Sequence, residues 1–317
     1  MAPNPAKILS ASRRTDIPAF YLDWFMDQID SGFFNIQNPV TRTVKTLDLK
    51  KENIHSIVFW SKNYDVFINT RAGEKLQDAG YHLYFNFTVN SESALLEPNI
   101  PPLNERLNQL HLLAEKFGAD AVDWRFDPVC FYQTRINGPM LDNLKDFEKI
   151  ARTAQKAQIK KCVVSFCDPY AKIQKRIQAL FKKPDQTILF SDPCLEQKKQ
   201  VIQQLKDHLK NSGIQLYLCC EKHVFSSFCQ PPDDQGSGVL ENACVDGRKL
   251  KLLYGGHPET RRDYGQRSKK GCRCSKSIDV GSYKDHPCFH NCLFCYANPD
   301  MDSKLKEVSL YEESHEN

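Results

Sequence analysis

Short apolar runs alternate with longer amphipathic stretches from the N-terminus to about residue 220. The short runs are rich in β-branched and aromatic residues, which predicts strands. The predicted strands are KILSA at 7–11, FFNIQ at 33–37, SIVFW at 56–60, HLYFNFTV at 82–89, AVDWRF at 121–126, KCVVSF at 161–166 and QLYLC at 215–219. The amphipathic stretches predict helices within residues 18–32, 102–118, 138–157 and 194–213, three of which end at glycine.

Strands and helices in this alternating order predict an α/β fold, because parallel neighbours need helical crossovers. We expect a TIM-like (βα) barrel, complete or incomplete, over residues 1–221, with a doubly wound open sheet as the alternative. In such a barrel the loops after the strands build the active site at the C-terminal mouth. Polar residues that follow strands are therefore candidate catalytic residues: Arg13, Arg14, Asp16, Lys62, Arg125 and Asp127.

The arginines among these candidates suit an anionic ligand. A guanidinium group forms a planar fork that matches carboxylate or phosphate. Arg125 and Asp127 stand two positions apart on a predicted strand and therefore share one face. Two interpretations are open for these residues, namely a grip on substrate or cofactor and ion pairs that tie the loops together.

The pattern changes after Glu221. Residues 222–300 are rich in Gly, Pro, Ser, Asp and Cys and show no long helical period, which predicts an irregular metal-binding segment packed on the barrel mouth. Residues 301–317 form a polar tail. Cysteines also concentrate late in the chain, since none of the 13 precedes Cys130.

The length, the N-terminus and the apolar runs of the sequence indicate the class of protein. A chain of 317 residues with 41% hydrophobic residues can bury a large core. The sequence shows neither a secretory h-region nor an apolar run long enough to cross a bilayer, so we expect a cytoplasmic protein with no membrane partner. Cysteines in that compartment favour metal binding or catalysis over disulfides.

Three cysteines lie together near the C-terminus. Cys288, Cys292 and Cys295 have the spacing C-x-x-x-C-x-x-C, which suits one tight loop around an iron–sulfur cluster. Three thiolates satisfy three irons of a 4Fe–4S cluster and leave the fourth iron open for another ligand. Zinc or a purely structural cluster on the same cysteines is the alternative.

With Phe294 immediately before the third cysteine, the trio resembles the cluster motif of radical S-adenosylmethionine (SAM) enzymes. In those enzymes the motif normally follows the first barrel strand, whereas here it lies after all the predicted strands. The chain as a whole resembles the uncharacterised DUF1848 family, whose C-terminal cysteines look like that motif. The landmarks of the resemblance are SASRRTDIPAFY at 10–21, Asn38-Pro39, VFWSKN at 58–63, WRFDPV at 124–129, Cys219 with Glu221, Cys244-Val-Asp, Gln266-Arg267, Cys272-Arg-Cys274, SIDVGSY at 277–283 and CFHNCLFCYAN at 288–298.

The resemblance implies a cofactor but no substrate. It implies that the open iron binds SAM for radical hydrogen abstraction, with a reductant protein as electron donor. It also favours Cys219, Cys244, Cys272 and Cys274 over Cys220 and Cys229 as a second metal site, for a further 4Fe–4S cluster or for Zn²⁺. Unrelated buried cysteines are the alternative for these four.

Two other functions compete with the radical SAM-like enzyme. One is a non-catalytic zinc or iron–sulfur module, associated with nucleic acid through the basic run at 261–273. The same basic run is explained by neutralisation of an anionic thiolate cluster. The other is a TIM-barrel hydrolase or lyase with a structural metal site.

Overall fold

The computed structural model of the protein describes residues 4–37, 43–181, 187–228 and 238–297. Asn38-Pro39, Cys229 and the polar tail at 301–317 lie outside the described residues. The strands are β1 Lys7–Ala11, β2 Phe33–Gln37, β3 Val44–Asp48, β4 Ile54–Ser61, β5 His82–Thr88, β6 Val122–Val129, β7 Phe131–Gln133, β8 Leu141–Asp142, β9 Lys161–Phe166, β10 Leu189–Ser191, β11 Gln215–Leu218, β12 Val239–Glu241 and β13 Ile278–Asp279. The helices are α1 Ile17–Phe20, α2 Leu22–Ser31, α3 Asp65–Asn69, α4 Ala72–Asp78, α5 Leu103–Phe117, α6 Phe147–Lys156, α7 Ala171–Leu180, α8 Leu195–Leu209, α9 Lys222–Phe228 and α10 Gly247–Tyr254.

Eight strands form one parallel sheet in the order β12-β11-β9-β6-β5-β4-β1-β13. From β1 to β12 this order follows the chain and lacks the reversal that marks a doubly wound sheet. The predicted α/β class is therefore confirmed. The sheet is nevertheless open in the described residues, with β12 and β13 at its two edges, so a closed barrel is not formed there.

The two faces of the sheet differ in chemistry. Side chains such as Ile57 and Phe59 pack with the helices in a large apolar core that covers one face. The alternate positions face the other way, where Val58 and several cysteines are buried together with Leu250 of α10. Since neighbouring residues of a strand point to opposite faces, this inner face is the one that carries the polar and sulfur-containing side chains.

Several predicted elements differ from the structure. FFNIQ does form β2, but it pairs antiparallel with β3 in a separate two-stranded sheet instead of joining the parallel sheet. The helix predicted over 138–157 begins only at Phe147, because Leu141–Asp142 pairs with β7 as strand β8. The segment predicted to be irregular supplies β12 and β13, so both edges of the main sheet come from residues beyond 221.

A buried ion-pair network lies on the inner face of the sheet. Asp123 of β6 is fully buried and lies 2.8 Å from the Nζ of Lys161 and 3.1 Å from the Nζ of Lys249. The hydroxyl of Tyr84 donates to the same carboxylate at 2.6 Å. Burial raises the pKa of Asp123, but Lys161 and Lys249 outweigh burial and lower the pKa below its ordinary value.

The last strand is fastened to the first by one carboxylate. Asp279 accepts hydrogen bonds from the Oγ of Ser12 at 2.5 Å and from the backbone N of Arg13 at 2.8 Å. Gly281, two residues later, packs tightly against Ser12, because a Cβ at position 281 would lie 2.2 Å from the Oγ of Ser12. Only a residue without a side chain therefore fits at this position.

We expect Gly281→Ala to lower the free energy of unfolding by about 1–3 kcal/mol, because the added methyl group overpacks the junction with Ser12. Urea unfolding followed by circular dichroism measures the change. Gly265→Ala is the matched control, since its Cβ would meet only the Asp263 carboxylate at 3.2 Å in an exposed loop. Equal stability of the two variants would contradict the prediction.

No helix in the described ranges combines the length and the apolar character needed to cross a membrane.

Candidate functional site

A cavity of about 280 Å³ lies at the carboxyl ends of the main strands, on the inner face of the sheet. Its wall combines charged, aromatic and sulfur-containing side chains. Four of the six candidate catalytic residues line it: Arg13, Lys62, Arg125 and Asp127. Loops after parallel strands converge at one end of a sheet, which explains why residues distant in sequence meet here.

Five cysteines on one side of the cavity form a continuous set of thiol contacts, which we call the inner thiol group: Cys219, Cys220, Cys244, Cys272 and Cys274. The Sγ of Cys219 lies 3.5 Å from that of Cys244 and 3.8 Å from that of Cys220. Thiol hydrogen bonds also link Cys220 with Cys272, and Cys274 with both Cys272 and Cys244. The four cysteines predicted as a second metal site are thus brought together, and Cys220 joins them.

Cys244 has the surroundings of a thiolate. Its Sγ accepts hydrogen bonds from the Nη1 of Arg125 at 2.8 Å and from the Nδ2 of Asn242 at 2.9 Å. Hydrogen bonds from the Cys219 and Cys274 thiols, followed by the charge of Arg125, hold the pKa of Cys244 well below its usual range. A thiolate is the form of cysteine that binds metals and acts as a nucleophile.

Arg125 and Asp127 form the ion pair that their spacing predicts. The Nη2 of Arg125 donates to one carboxylate oxygen of Asp127, and the hydroxyl of Ser165 donates to the other. Burial raises the pKa of Asp127, but Arg125 and Ser165 outweigh it and lower that pKa. Arg125 therefore connects the carboxylate to the inner thiol group, and both charges are retained in a buried place.

We call the cysteines near the C-terminus, Cys288, Cys292 and Cys295, the loop thiols. Of these three, Cys295 lines the cavity together with the adjacent Phe294, whereas Cys288 and Cys292 do not line it. Cys292 is buried. Arg176 of α7 stabilises the loop from outside, because its guanidinium donates to the carbonyls of Cys295 at 2.9 Å and Leu293 at 2.5 Å.

The loop is held by Asp16 and Tyr21, which flank α1, the helix that follows β1. The Nε2 of His290 lies 2.7 Å from the Oδ2 of Asp16, and the hydroxyl of Tyr21 donates to the carbonyl of Pro287 at 2.6 Å. The same Asp16 carboxylate caps α1 by accepting from the backbone N of Ala19. These contacts place the C-terminal cysteine motif beside the end of the first strand.

Asp16 and Arg14, two of the candidate catalytic residues, have positioning contacts. The Oδ2 of Asp16 accepts from the Oγ of Ser61 at 2.8 Å and from the backbone N of Lys62 at 2.9 Å. Arg14 donates from its Nη1 to the carbonyl of Gly281 at 3.0 Å. Both residues therefore join the end of β1 to the C-terminal segment.

Burial raises the pKa of two of the loop thiols, Cys288 and Cys292. It raises the pKa of Cys288 to about 12, with a further increase from the charge of Asp16. Burial also raises the pKa of Cys292, where Cys295 and Cys288 add to the increase and Lys62 opposes it. These thiols therefore stay protonated unless a bound cation stabilises the thiolate form.

The basic run at 261–273 is largely bound to the protein itself. Arg267 lines the cavity, and Cys220 and Cys219 raise its pKa although burial lowers it. Lys270 lies 2.5 Å from the carboxylate of Asp168. These contacts favour neutralisation of thiolates, and an association with nucleic acid stays a prediction.

The comparison with known families agrees with these landmarks. The model of the family described as a domain of unknown function, DUF1848, matches residues 8–297. The chain belongs to the DUF1848 family. No curated protein matches it.

The DUF1848 match covers the inner thiol group, the loop thiols and the strand-end charges together. Within the described parts of this family member, no three or more His, Cys, Asp or Glu side chains are arranged to ligate a single metal ion. The donor atoms at both places are nevertheless cysteine sulfurs, which are the ligands of iron–sulfur clusters and of structural zinc. The chemistry of the donors fits such groups, and a tetrahedral site for one ion is not preformed in the described residues.

Several residues that shape this DUF1848 site were missed by sequence reasoning: Cys220, Arg176, His290, Asn242 and Asp279. The signal for His290 was present, because it stands inside the C-x-x-x-C spacing. Arg176 lies on an ordinary amphipathic helix, and Asn242 and Asp279 belong to strands of only three and two residues. Nothing in the local sequence of Arg176 or Asn242 indicates a role, whereas Asp279 lies within the landmark SIDVGSY at 277–283.

Proposed function

We propose that this DUF1848 protein is an iron–sulfur enzyme in which the loop thiols hold a 4Fe–4S cluster with one open iron facing the cavity. The observation that carries the proposal is the position of the loop at the end of β1, where Asp16 and Tyr21 hold it. In radical SAM enzymes, which the motif resembles, the cluster motif normally follows the first strand. The packing of this loop beside the segment that follows β1 therefore supports a cluster at a comparable place.

The order of the strands supports the same proposal. From β1 to β12 the strands follow one another as in a (βα) barrel, and β13 adds to the free side of β1. A barrel would need one further pairing, between β12 and β13. The cavity lies at the carboxyl ends of these strands, which is the end that holds active sites in barrel enzymes.

The chain supplies the surroundings that such a group needs. Lys62 lies with its Nζ 5.4 Å from the Phe294 ring, and its charge opposes the increase that burial causes in the pKa of Cys292. Glu97 lies 2.5 Å from the same Nζ and keeps it in place. When bound, a cluster with an open iron would supply an electron and a chelation site for the amino and carboxylate groups of SAM.

The inner thiol group has a separate place in this proposal. It lines the same cavity as Cys295 and has Arg125 and Arg267 beside it. A second cluster for electron relay, or a structural Zn²⁺, would suit its sulfur donors. The same thiols support the second candidate function, a non-catalytic metal-binding module, because they would bind metal without SAM.

Anaerobic purification followed by reconstitution with iron and sulfide tests the proposal. We expect a brown protein with broad absorption at about 400 nm that releases 5′-deoxyadenosine from SAM after reduction. Iron, sulfide and zinc are measured in the same sample. A colourless protein that contains stoichiometric zinc and leaves SAM intact would overturn the enzyme and favour the metal-binding module.

A further inference from the structure

Arg13 is a cation of the cavity that has no carboxylate partner among the described residues. Three cavity cations lie beside carboxylates: Lys62 with Glu97 at 2.5 Å, Arg267 with Asp168 at 3.7 Å, and Arg125 with Asp127. Among the described residues, Arg13 has no such carboxylate, and its buried Nη2 has no hydrogen-bond partner. Buried polar groups are nearly always satisfied, so an unsatisfied guanidinium N–H in a cavity needs an explanation.

The backbone of Arg13 is held by a hydrogen bond, and its guanidinium has a defined position near the Trp60 ring. The backbone N donates to Asp279 at 2.8 Å, and the guanidinium lies 5.5 Å from the centre of the Trp60 ring. Trp60 is itself fastened, because its Nε1 donates to the Oγ of Ser10 at 3.0 Å. A guanidinium over an indole ring is oriented by attraction to the ring face.

The thiols of the cavity do not account for this charge. Arg125 lies 5.2 Å from the same Trp60 ring and donates to the Sγ of Cys244 at 2.8 Å. Arg267 is the cation whose charge acts on Cys219 and Cys220. Each of these arginines acts on the inner thiol group, whereas the guanidinium of Arg13 lies over Trp60 and its Nη2 has no hydrogen-bond partner among the described residues.

We propose that Arg13 is the anion-binding end of the cavity and that the substrate is a small organic molecule with a carboxylate or phosphate group. The guanidinium fork matches either group with two parallel hydrogen bonds. The volume of about 280 Å³ suits a small substrate, and Phe166, Tyr170 and Phe294 provide aromatic surface for the uncharged part. This assignment names the substrate class of the proposed function and rests on it.

Anion binding is tested on the full-length protein with inorganic phosphate and with acetate, at constant ionic strength set by chloride. Tryptophan fluorescence reports ligands near Trp60, and the midpoint of thermal unfolding reports binding independently. We expect saturable binding that Arg13→Gln weakens about tenfold or more, since a hydrogen-bonded charge is lost. Arg13→Lys keeps the charge without the fork and should give an intermediate affinity. Tighter phosphate binding would indicate a phosphorylated substrate, and tighter acetate binding a carboxylic acid.

Arg152→Gln is the matched control, because Arg152 pairs with Glu148 on the exposed side of α6 and does not line the cavity. It should bind both anions as the wild type does. Equal binding by Arg13→Gln and the wild type, or no binding of either anion, would overturn the assignment. So would an Arg13→Gln protein that loses affinity for SAM but binds phosphate normally.

The anion measurements use neither a reductant nor SAM turnover. If the protein cleaves SAM but binds neither anion, only the assignment of the substrate class is wrong. If it binds anions through Arg13 but never cleaves SAM, the anion site is retained and the proposed reaction is wrong.

Discussion

Cys292→Ala is expected to abolish absorption from the loop cluster and SAM cleavage while the fold persists. Removing partners of metal ligands typically costs about 10–100-fold in affinity or activity, so the loss of a ligand should reduce 5′-deoxyadenosine release by more than about 100-fold. Cys292 is buried in a second, smaller apolar cluster with Ile173 and Ile177 of α7, outside the large apolar core of the sheet. Circular dichroism should therefore be unchanged.

Cys162→Ala is the matched control for this variant. Cys162 is another fully buried cysteine, but it packs between the sheet and the helices and belongs to neither thiol group. It should reconstitute and cleave SAM as the wild type does. SAM cleavage that survives in Cys292→Ala would contradict the assignment of the open-iron cluster to the loop thiols. If Cys292→Ala fails to fold, Cys292→Ser keeps the size of the side chain and repeats the test.

Asp123→Asn is expected to cause the largest loss of stability among the substitutions considered. The change leaves the ammonium groups of Lys161 and Lys249 beside a neutral amide inside the protein. Breaking a buried ion pair by removing one partner costs about 3–5 kcal/mol, because the remaining charge is uncompensated. Urea unfolding of the wild type and the variant measures the difference.

Glu148→Gln is the control, because it also removes one carboxylate charge, but at the surface of the protein. Glu148 pairs with Arg152 on the exposed side of α6, with side chains 51% and 72% exposed, so the loss should stay below about 1 kcal/mol. A loss below 1 kcal/mol for Asp123→Asn as well would show that the inner network does not stabilise the fold.

The same carboxylate predicts a pH dependence. Its folded-state pKa lies below the ordinary value of about 3.9, so its contribution is present above that pH and is lost as the pH falls through the folded-state value. Between about pH 5 and about pH 3, the wild type should lose more unfolding free energy than Asp123→Asn. Parallel losses in the two proteins would contradict this assignment.

Local patterns predicted the strands of the main sheet well. The five residues of β1 and the six of β9 coincide with the predicted runs, because buried parallel strands consist of continuous apolar residues. β12 and β13 were missed, since three and two residues carry no periodic signal. FFNIQ is the opposite case, because it was predicted as a strand but its antiparallel pairing with β3 was not predicted.

Sequence patterns likewise predicted only part of the candidate site. The two-residue spacing of Arg125 and Asp127 predicted their shared face, and the structure places them in contact. The spacing of the loop cysteines predicted that they lie on one loop, but not what that loop packs against. The contact between Asp16 and His290 spans 274 positions of sequence, and no local pattern contains that information.

The amino-acid sequence alone determined the class of fold, the family and the two sets of cysteines, because periodicity, spacing and residue type are local properties of the chain. Tertiary structure decided that Cys220 joins the inner thiol group, that the C-terminal loop lies beside the end of β1, and that Arg13 faces the cavity without a carboxylate partner among the described residues. Those three features depend on which distant segments pack together, and packing is set by the whole buried core and not by any one stretch of it.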